Sequence, residues 1–179
     1  MLMLVLSDFH LGKGKFLDNG QINILEDFDE DEKFSEFVDH YSTGTYYFSD
    51  VNIVFNGDIF NLIQMDVDGV FTHLLSEDNI VKMVEQIIEG HPLFFDSLRR
   101  FLARPNKKLT YVIGNHDIGM IFKKAQQVMI DAVGAPIEFT HQYVQNGVLV
   151  EHGHRFEAIN TVPRSKLIIK GPNDVPILN

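Results

Sequence analysis

Carboxylates, imidazoles and one amide fall into four short groups along this chain. They are Asp8 and His10 in Ser7-Asp8-Phe9-His10, Asp58 in Asn56-Gly57-Asp58, then Gly114-Asn115-His116-Asp117, and last His152-Gly153-His154. Mixed oxygen and nitrogen donors without thiolate favour ions such as Mn, Fe or Zn, without choosing among them. Residues two apart on an extended segment project to the same side, so Asp8 and His10 can serve one cation. Asn115, through its amide oxygen, and His152, through a ring nitrogen, can serve another. A carboxylate between two cations offsets their repulsion, and Asp58 can bridge them. Two cations about 3.5–4 Å apart clamp the attacking and leaving oxygens of an in-line displacement at phosphorus. Metal-dependent hydrolysis of a phosphate ester or anhydride is the chemistry such residues can perform.

Each group follows an apolar, β-branched run: 1–6, 51–55, 109–113 and 148–150. Ligand sites in open α/β sheets lie beyond the carboxyl ends of the strands, so strands ending in these residues deliver them to one place. Phe34, Phe37, Val38 and Tyr41 recur at helical spacing and predict a helix across 30–42. Ser76 reads as a helix cap before the apolar face of Ile80, Val81, Val84, Ile87 and Ile88. Gly90 closes that helix and Pro92 opens another, packed through Leu93, Leu98, Phe101 and Leu102. A further helix is predicted over 118–131. Asn146-Gly147 tolerates positive φ and predicts a hairpin between 137–145 and 148–152. That hairpin would begin a second sheet and present His152 at its end. The tail from about 160, with Pro163, Pro172 and Pro176, receives no fold assignment.

In order and spacing, Asp8-Phe9-His10, Gly57-Asp58, Gly114-Asn115-His116-Asp117 and His152-Gly153-His154 resemble the motifs of the metallophosphoesterase, or calcineurin-like phosphoesterase, family. The resemblance spans residues 1 to about 156. The run Gly90-His91-Pro92-Leu93-Phe94-Phe95 through Asn115 is similar to bacterial branches near the UDP-2,3-diacylglucosamine hydrolases. This implies an α/β fold, a four-layer α/β/β/α sandwich incomplete at its C-terminus, with a dinuclear centre between its sheets. It implies two divalent ions, Mn foremost and Fe or Zn as alternatives. Asp8 and His10 would hold the first, Asp58 would bridge, and Asn115 and His152 would hold the second. His116 would face the phosphate, stabilising charge or protonating the leaving oxygen, with Asp117 orienting its ring.

Two departures from the family pattern matter. Asn61 stands where the family often carries an acid outside the ligand set. The closing Gly-His-x-His is absent, because no histidine follows His154. His152 is read as the family's lone-histidine ligand, since Glu151 replaces the glycine that would lead a closing motif, and His154 becomes an auxiliary donor or substrate contact. The expectation is that these residues are the N-terminal part of a longer phosphoesterase. A downstream segment or a second chain would then complete the sheet and the metal shells. The alternative is a non-catalytic phosphate-binding or interaction module with a degraded centre.

At 179 residues, 45% hydrophobic and 22% charged, the chain reads as one domain over 1–179, long enough to bury a substantial core. No apolar run is long enough to span a bilayer. Residues 1–6 lack a basic start and meet Asp8 at once, which predicts a buried strand rather than a signal peptide. Without cysteine there are no disulfides and no compartment signal, and the cytoplasm is the default expectation. A net charge of −10 argues against an extended nucleic-acid surface but suits a small phosphorylated substrate, whose charge the cations would meet. Residues 26–32 hold six acids in seven positions and read as a solvated loop entering a helix. His40, His73, His91 and His141 read as surface or packing residues. Lys123, Lys124, Arg155, Arg164, Lys166 and Lys170 read as solvated surface.

Overall fold

The computed structural model describes residues 1–17, 19–72, 75–157, 160, 166–171 and 175–178. His73, Pro163, Arg164 and Pro172 lie outside the described residues. In chain order the elements are β1 (Leu2–Leu6), α1 (Asp31–His40), β2 (Val51–Asn56), the two-residue strands β3 (Asp66–Val67) and β4 (Val70–Phe71), α2 (Glu77–Gly90) and α3 (Pro92–Leu102). There follow β5 (Lys107–Val112), α4 (Lys123–Val133), β6 (Glu138–Thr140), β7 (Tyr143–Gln145), β8 (Val148–Val150), β9 (Ile168–Lys170) and β10 (Pro176–Leu178).

The three apolar runs at 2–6, 51–56 and 107–112 pair in parallel, and β6 joins the edge, giving the order β1-β2-β5-β6. Side chains alternate between the faces of a strand, and this sheet uses both. Ile53, Phe55, Leu109 and Tyr111 pack with residues of all four helices, including Phe34, Met83, Phe94 and Met129. Val54 and Val112, one residue out of phase, pack instead with Val150, Met3 and Tyr143 from the opposite side. The fold is therefore mixed α/β, with helices over one face of a parallel sheet and the β7–β8 hairpin against the other.

Local signals explain the helices. Ser76 Oγ accepts the Asn79 N–H at 3.3 Å, and Glu77 and Asp78 follow in the first turn, where carboxylates suit the helix dipole. Ile80, Met83, Val84 and Ile87 then form its buried face. Pro92 opens α3, its missing N–H costing nothing at that position. The predicted 118–131 helix is corrected. A 3-10 turn over Ile118–Ile121 ends at Phe122, which is extended (φ −73, ψ 129), and α4 starts afresh at Lys123. Gln126 Nε2 donates to the Met120 carbonyl at 2.8 Å across that break. Gly134, at φ 68, closes α4.

The predicted 137–145 strand is also corrected. Its first half, β6, pairs in parallel with β5 and ends the first sheet. The chain breaks at His141-Gln142, where Thr140 Oγ1 donates to the Gln142 carbonyl at 2.7 Å. Only then does the hairpin begin, turning at Asn146-Gly147 with φ 50 and 80. Under it, the buried Asn52 amide is fully used: its oxygen accepts from the Tyr143 and Thr110 hydroxyls, and its nitrogen donates to the Lys108 and Ile53 carbonyls. The short antiparallel pair β3–β4, turning at Asp68-Gly69 with φ 53 and 80, and the antiparallel pair β9–β10 are not among the predicted elements.

The acidic run does not wholly face solvent, which corrects the solvated-loop reading. Glu26 turns inward to accept backbone N–H groups of Gly12 and Gly14, donors that have no strand partner and need one. His91 is a packing residue, 2% exposed, between the carboxylates of Glu26 and Asp31. Burial works against its charge, but Asp31 and Glu26 outweigh burial and hold its pKa up at about 9. Lys124 pairs with Glu77 and Asp78 at the surface.

Phe94 lies at the centre of the helix-side core, fully buried and stacked on Phe34 with ring centroids 3.9 Å apart. Phe94→Ala removes that ring without replacing its volume, and the expected loss is about 3–5 kcal/mol, measured as a fall in the urea unfolding midpoint.

Candidate metal centre

The sheet's carboxyl edge gathers the predicted groups. Beyond β1 and β2 the two following loops run side by side. The N–H groups of Asp8, His10 and Leu11 donate to the carbonyls of Gly57, Asp58 and Ile59 at 3.2, 3.0 and 2.8 Å. Asp8, His10 and Asp58 all have positive φ, at 59, 52 and 54. Left-handed backbone at residues other than glycine persists where the surroundings over-determine it, and it clusters at functional sites.

Two sets of donors result among the described residues. His10, Asp58 and His116 form one, and Asp8, Asp58 and His152 the other, each with its candidate ligand atoms within 4.8 Å of one another. Asp58 belongs to both. It is 4% exposed, its Oδ1 accepts the His116 N–H at 2.9 Å, and its Oδ2 lies 3.1 Å from His152 Nε2 and 3.9 Å from His10 Nε2. Burial raises its pKa, but the hydrogen bonds from His152 and the His116 backbone win and hold it below the ordinary carboxylate range.

His152 is aimed by its other nitrogen. Nδ1 donates to the Asn56 carbonyl at 2.8 Å, leaving Nε2 for Asp58, the arrangement by which ligand histidines are usually fixed in tautomer and direction. The bond to Asp58 raises its pKa to about 9 against the effect of burial. Gly57 makes room for the ring: a Cβ there would fall 2.4 Å from His152 Cγ. Gly114 does the same for Asp58, since a Cβ would lie 2.2 Å from Oδ1. Asn115, half-buried, sits between Gly114 and His116. His154 lies 5.5 Å from His152, ring to ring, and its buried Nδ1 has no hydrogen-bond partner among the described residues. Burial holds its pKa below the ordinary imidazole value.

Two features depart from the expected roles. The donor sets join His10 with His116 and Asp8 with His152, across the expected pairing of Asp8 with His10. Asp117 does not orient the His116 ring, which is a correction. Its carboxylate is fully buried and accepts from the Ile59 N–H (2.9 Å), the Gly114 N–H (2.6 Å) and the Tyr111 hydroxyl (2.6 Å). It ties the 57–61 loop to the 113–117 loop, and burial pushes its pKa up to about 6. Asn61 holds the His116 ring instead, its Oδ1 2.9 Å from Nδ1. Asn61 Nδ2 faces the Gln64 and Asp27 side-chain oxygens, so its oxygen is the acceptor and His116 Nδ1 carries the proton. Sequence inspection missed this pair; an amide at the position of an expected acid was its one trace.

The donors present fit divalent cations: carboxylates and imidazoles converge, one buried carboxylate is common to both sets, and the Asn56 carbonyl fixes the His152 ring. Comparison with protein-family models, curated proteins and solved structures finds no match to this chain. No helix among the described residues is long and apolar enough to cross a membrane.

Gly57→Ala is expected to push the His152 ring out of line and to weaken Mn or Zn binding about 10–100-fold, as read by calorimetric titration. A second expectation concerns pH. His152 and His91 both have folded pKa values raised to about 9, above the ordinary imidazole value of about 6.5. The stability they contribute to the ion-free protein is full below about pH 6.5 and is lost as pH rises through about 9. Thermal midpoints of ion-free protein should fall across that window, and His152→Gln and His91→Gln should each flatten the fall.

Proposed function

We propose that this protein is a metal-dependent hydrolase of a phosphate mono- or diester or a pyrophosphate. The observation that carries the reading is Asp58, one buried carboxylate shared by two sets of histidine and aspartate donors at the carboxyl edge of a parallel sheet. Asp8, His10, Asp58, Asn115 and His152 are the residues we assign to two divalent ions, Mn foremost, with His154 as an auxiliary donor. The helix–sheet–hairpin order is consistent with three layers of a four-layer α/β/β/α sandwich. Cations held there would lower the pKa of water and neutralise phosphoryl charge.

The chain's own residues do the rest. Asp58 keeps its charge despite burial, so it can hold two cations close together. Burial holds the His116 pKa below the ordinary imidazole value, which favours the neutral ring. With Nδ1–H fixed on Asn61, Nε2 is the basic atom. Facing the phosphate, it would steady charge there or, once it has taken up a proton, give that proton to the leaving oxygen. A cleft of about 480 Å³ is lined by Asn61, which holds the His116 ring, and by Leu17, Ile24, Met65 and Phe71. It suits a substrate whose phosphate is joined to an apolar group. In this reading the remaining coordination positions fall to water, substrate oxygens or donors from a further segment or chain.

The test compares metal content and turnover of an aryl phosphate mono- or diester by Mn-loaded protein. Chelation should abolish turnover. Asp58→Ala should lose most of the metal, and equal occupancy in that variant and wild type would remove the bridge. His116→Ala should lower turnover about 100-fold or more while metal content falls little. Equal losses would make His116 a ligand, and metal binding without turnover on any phosphoester would leave a phosphate-binding module.

A further inference from the structure

One carboxylate of the acidic run is hidden. The Glu26 side chain is 2% exposed, and its oxygens accept N–H groups from Gly12 (3.0 and 3.2 Å), Gly14 (2.7 Å) and Phe28 (3.3 Å). His91 Nε2 stands 3.4 Å from Glu26 Oε1, an ion pair without hydrogen-bond alignment, while its Nδ1 lies 2.9 Å from Asp31 Oδ1. A buried charge is tolerable when it is paired and hydrogen-bonded, and Glu26 is both. Burial raises its pKa, yet His91 and the Gly12 N–H hold it below the ordinary range.

The loop that Glu26 grips continues directly from Asp8 and His10. Its other sides are closed too. A Cβ on Gly14 would fall 2.5 Å from the Gly90 carbonyl, and one on Gly90 would fall 2.2 Å from the Lys13 carbonyl. Asn23 Nδ2 donates to the Gly14 carbonyl at 3.0 Å. Asp8 and His10 hold left-handed backbone, which needs fixed points on both sides. The bonds to the 57–59 carbonyls supply one, and Glu26 supplies the next along the chain.

We infer that Glu26, paired with His91, is a positioning residue for the cation centre. It anchors Gly12 and Gly14 so that Asp8 and His10 keep the geometry in which they meet a cation. The inference rests on the reading of that centre as a cation site. A glutamine cannot substitute: it offers one acceptor oxygen, and its NH₂ would face a backbone N–H. The role is therefore specific to a carboxylate.

Cobalt(II) loaded into the full chain tests this, because its visible d–d bands report ligand geometry independently of turnover. Wild type, Glu26→Gln, Asp58→Asn and Arg100→Gln are compared by affinity, spectrum and thermal midpoint. Arg100 bonds Ser35, Asp39 and Asp96 on the α1–α3 surface, so its variant loosens the same helices away from the loop. The expected result is cobalt binding about tenfold weaker with altered bands in Glu26→Gln, and wild-type bands at a lowered midpoint in Arg100→Gln. Wild-type bands and affinity in Glu26→Gln overturn the inference. Equal cobalt binding by wild type and Asp58→Asn overturns the cation reading itself. Should Glu26→Gln not fold, Glu26→Asp keeps the charge but is one methylene too short to span Gly12 and Gly14. Altered bands there support the inference and unaltered bands overturn it.

Discussion

A negative charge on Asp58 sits where almost no water reaches it, and much of the neighbouring structure follows from keeping it there. An isolated buried carboxylate would take up a proton rather than stay charged. Here it stays charged because His152 Nε2 and the His116 N–H face it at 3.1 and 2.9 Å. Its position explains why it is shared. β2 lies between β1 and β5, so the residue just past its end is within reach of loops from both neighbours. The hairpin on the sheet's other face brings His152 to the same point.

Such convergence is built from backbone as much as from side chains. Left-handed residues at Asp8, His10 and Asp58 turn the chain sharply enough to aim carboxylates and rings inward. Buried acceptors then lock those turns. Asp117 collects N–H groups from the 59 and 114 positions together with the Tyr111 hydroxyl, and Glu26 collects those of Gly12 and Gly14. Both are carboxylates used as connectors between loops. Asn61 completes the set by fixing which nitrogen of His116 carries a proton. Glu26, Asp117 and Asn61 lie outside both donor sets.

The donor motifs were legible because strand ends and ligand types are both local properties: an apolar run of five or six residues and the polar residues that follow it. Ser76, Pro92 and Asn146-Gly147 were legible for the same reason, each marking a boundary by its own stereochemistry. The connectors were not. Six acids in seven residues look alike in composition, and nothing local says that Glu26 alone turns toward two unpaired glycine N–H groups. Asp117, beside His116 in sequence, was assigned to its ring, whereas the turn carries the carboxylate under the loop and brings Asn61, distant in sequence, to the ring instead. The split between β6 and β7 was hidden because 137–145 alternates as one strand would, while pairing with β5 claims its first half.

The bond from His152 to the Asn56 carbonyl has a consequence for the order in which the chain comes together. The first donors lie at residues 8 and 10 and the last at 152, so the full set spans most of the described length. His152 comes from a three-residue-strand hairpin held to the sheet largely by Val54, Val112 and Val150. During synthesis, the early carboxylates and imidazoles emerge long before this last ring can dock against β2. A nascent chain therefore cannot present both donor sets, and the one with His152 closes only when the hairpin seats. The Asp8–Asp58–His152 set is thus a late product of folding, whereas His10, Asp58 and His116 can meet before the hairpin docks.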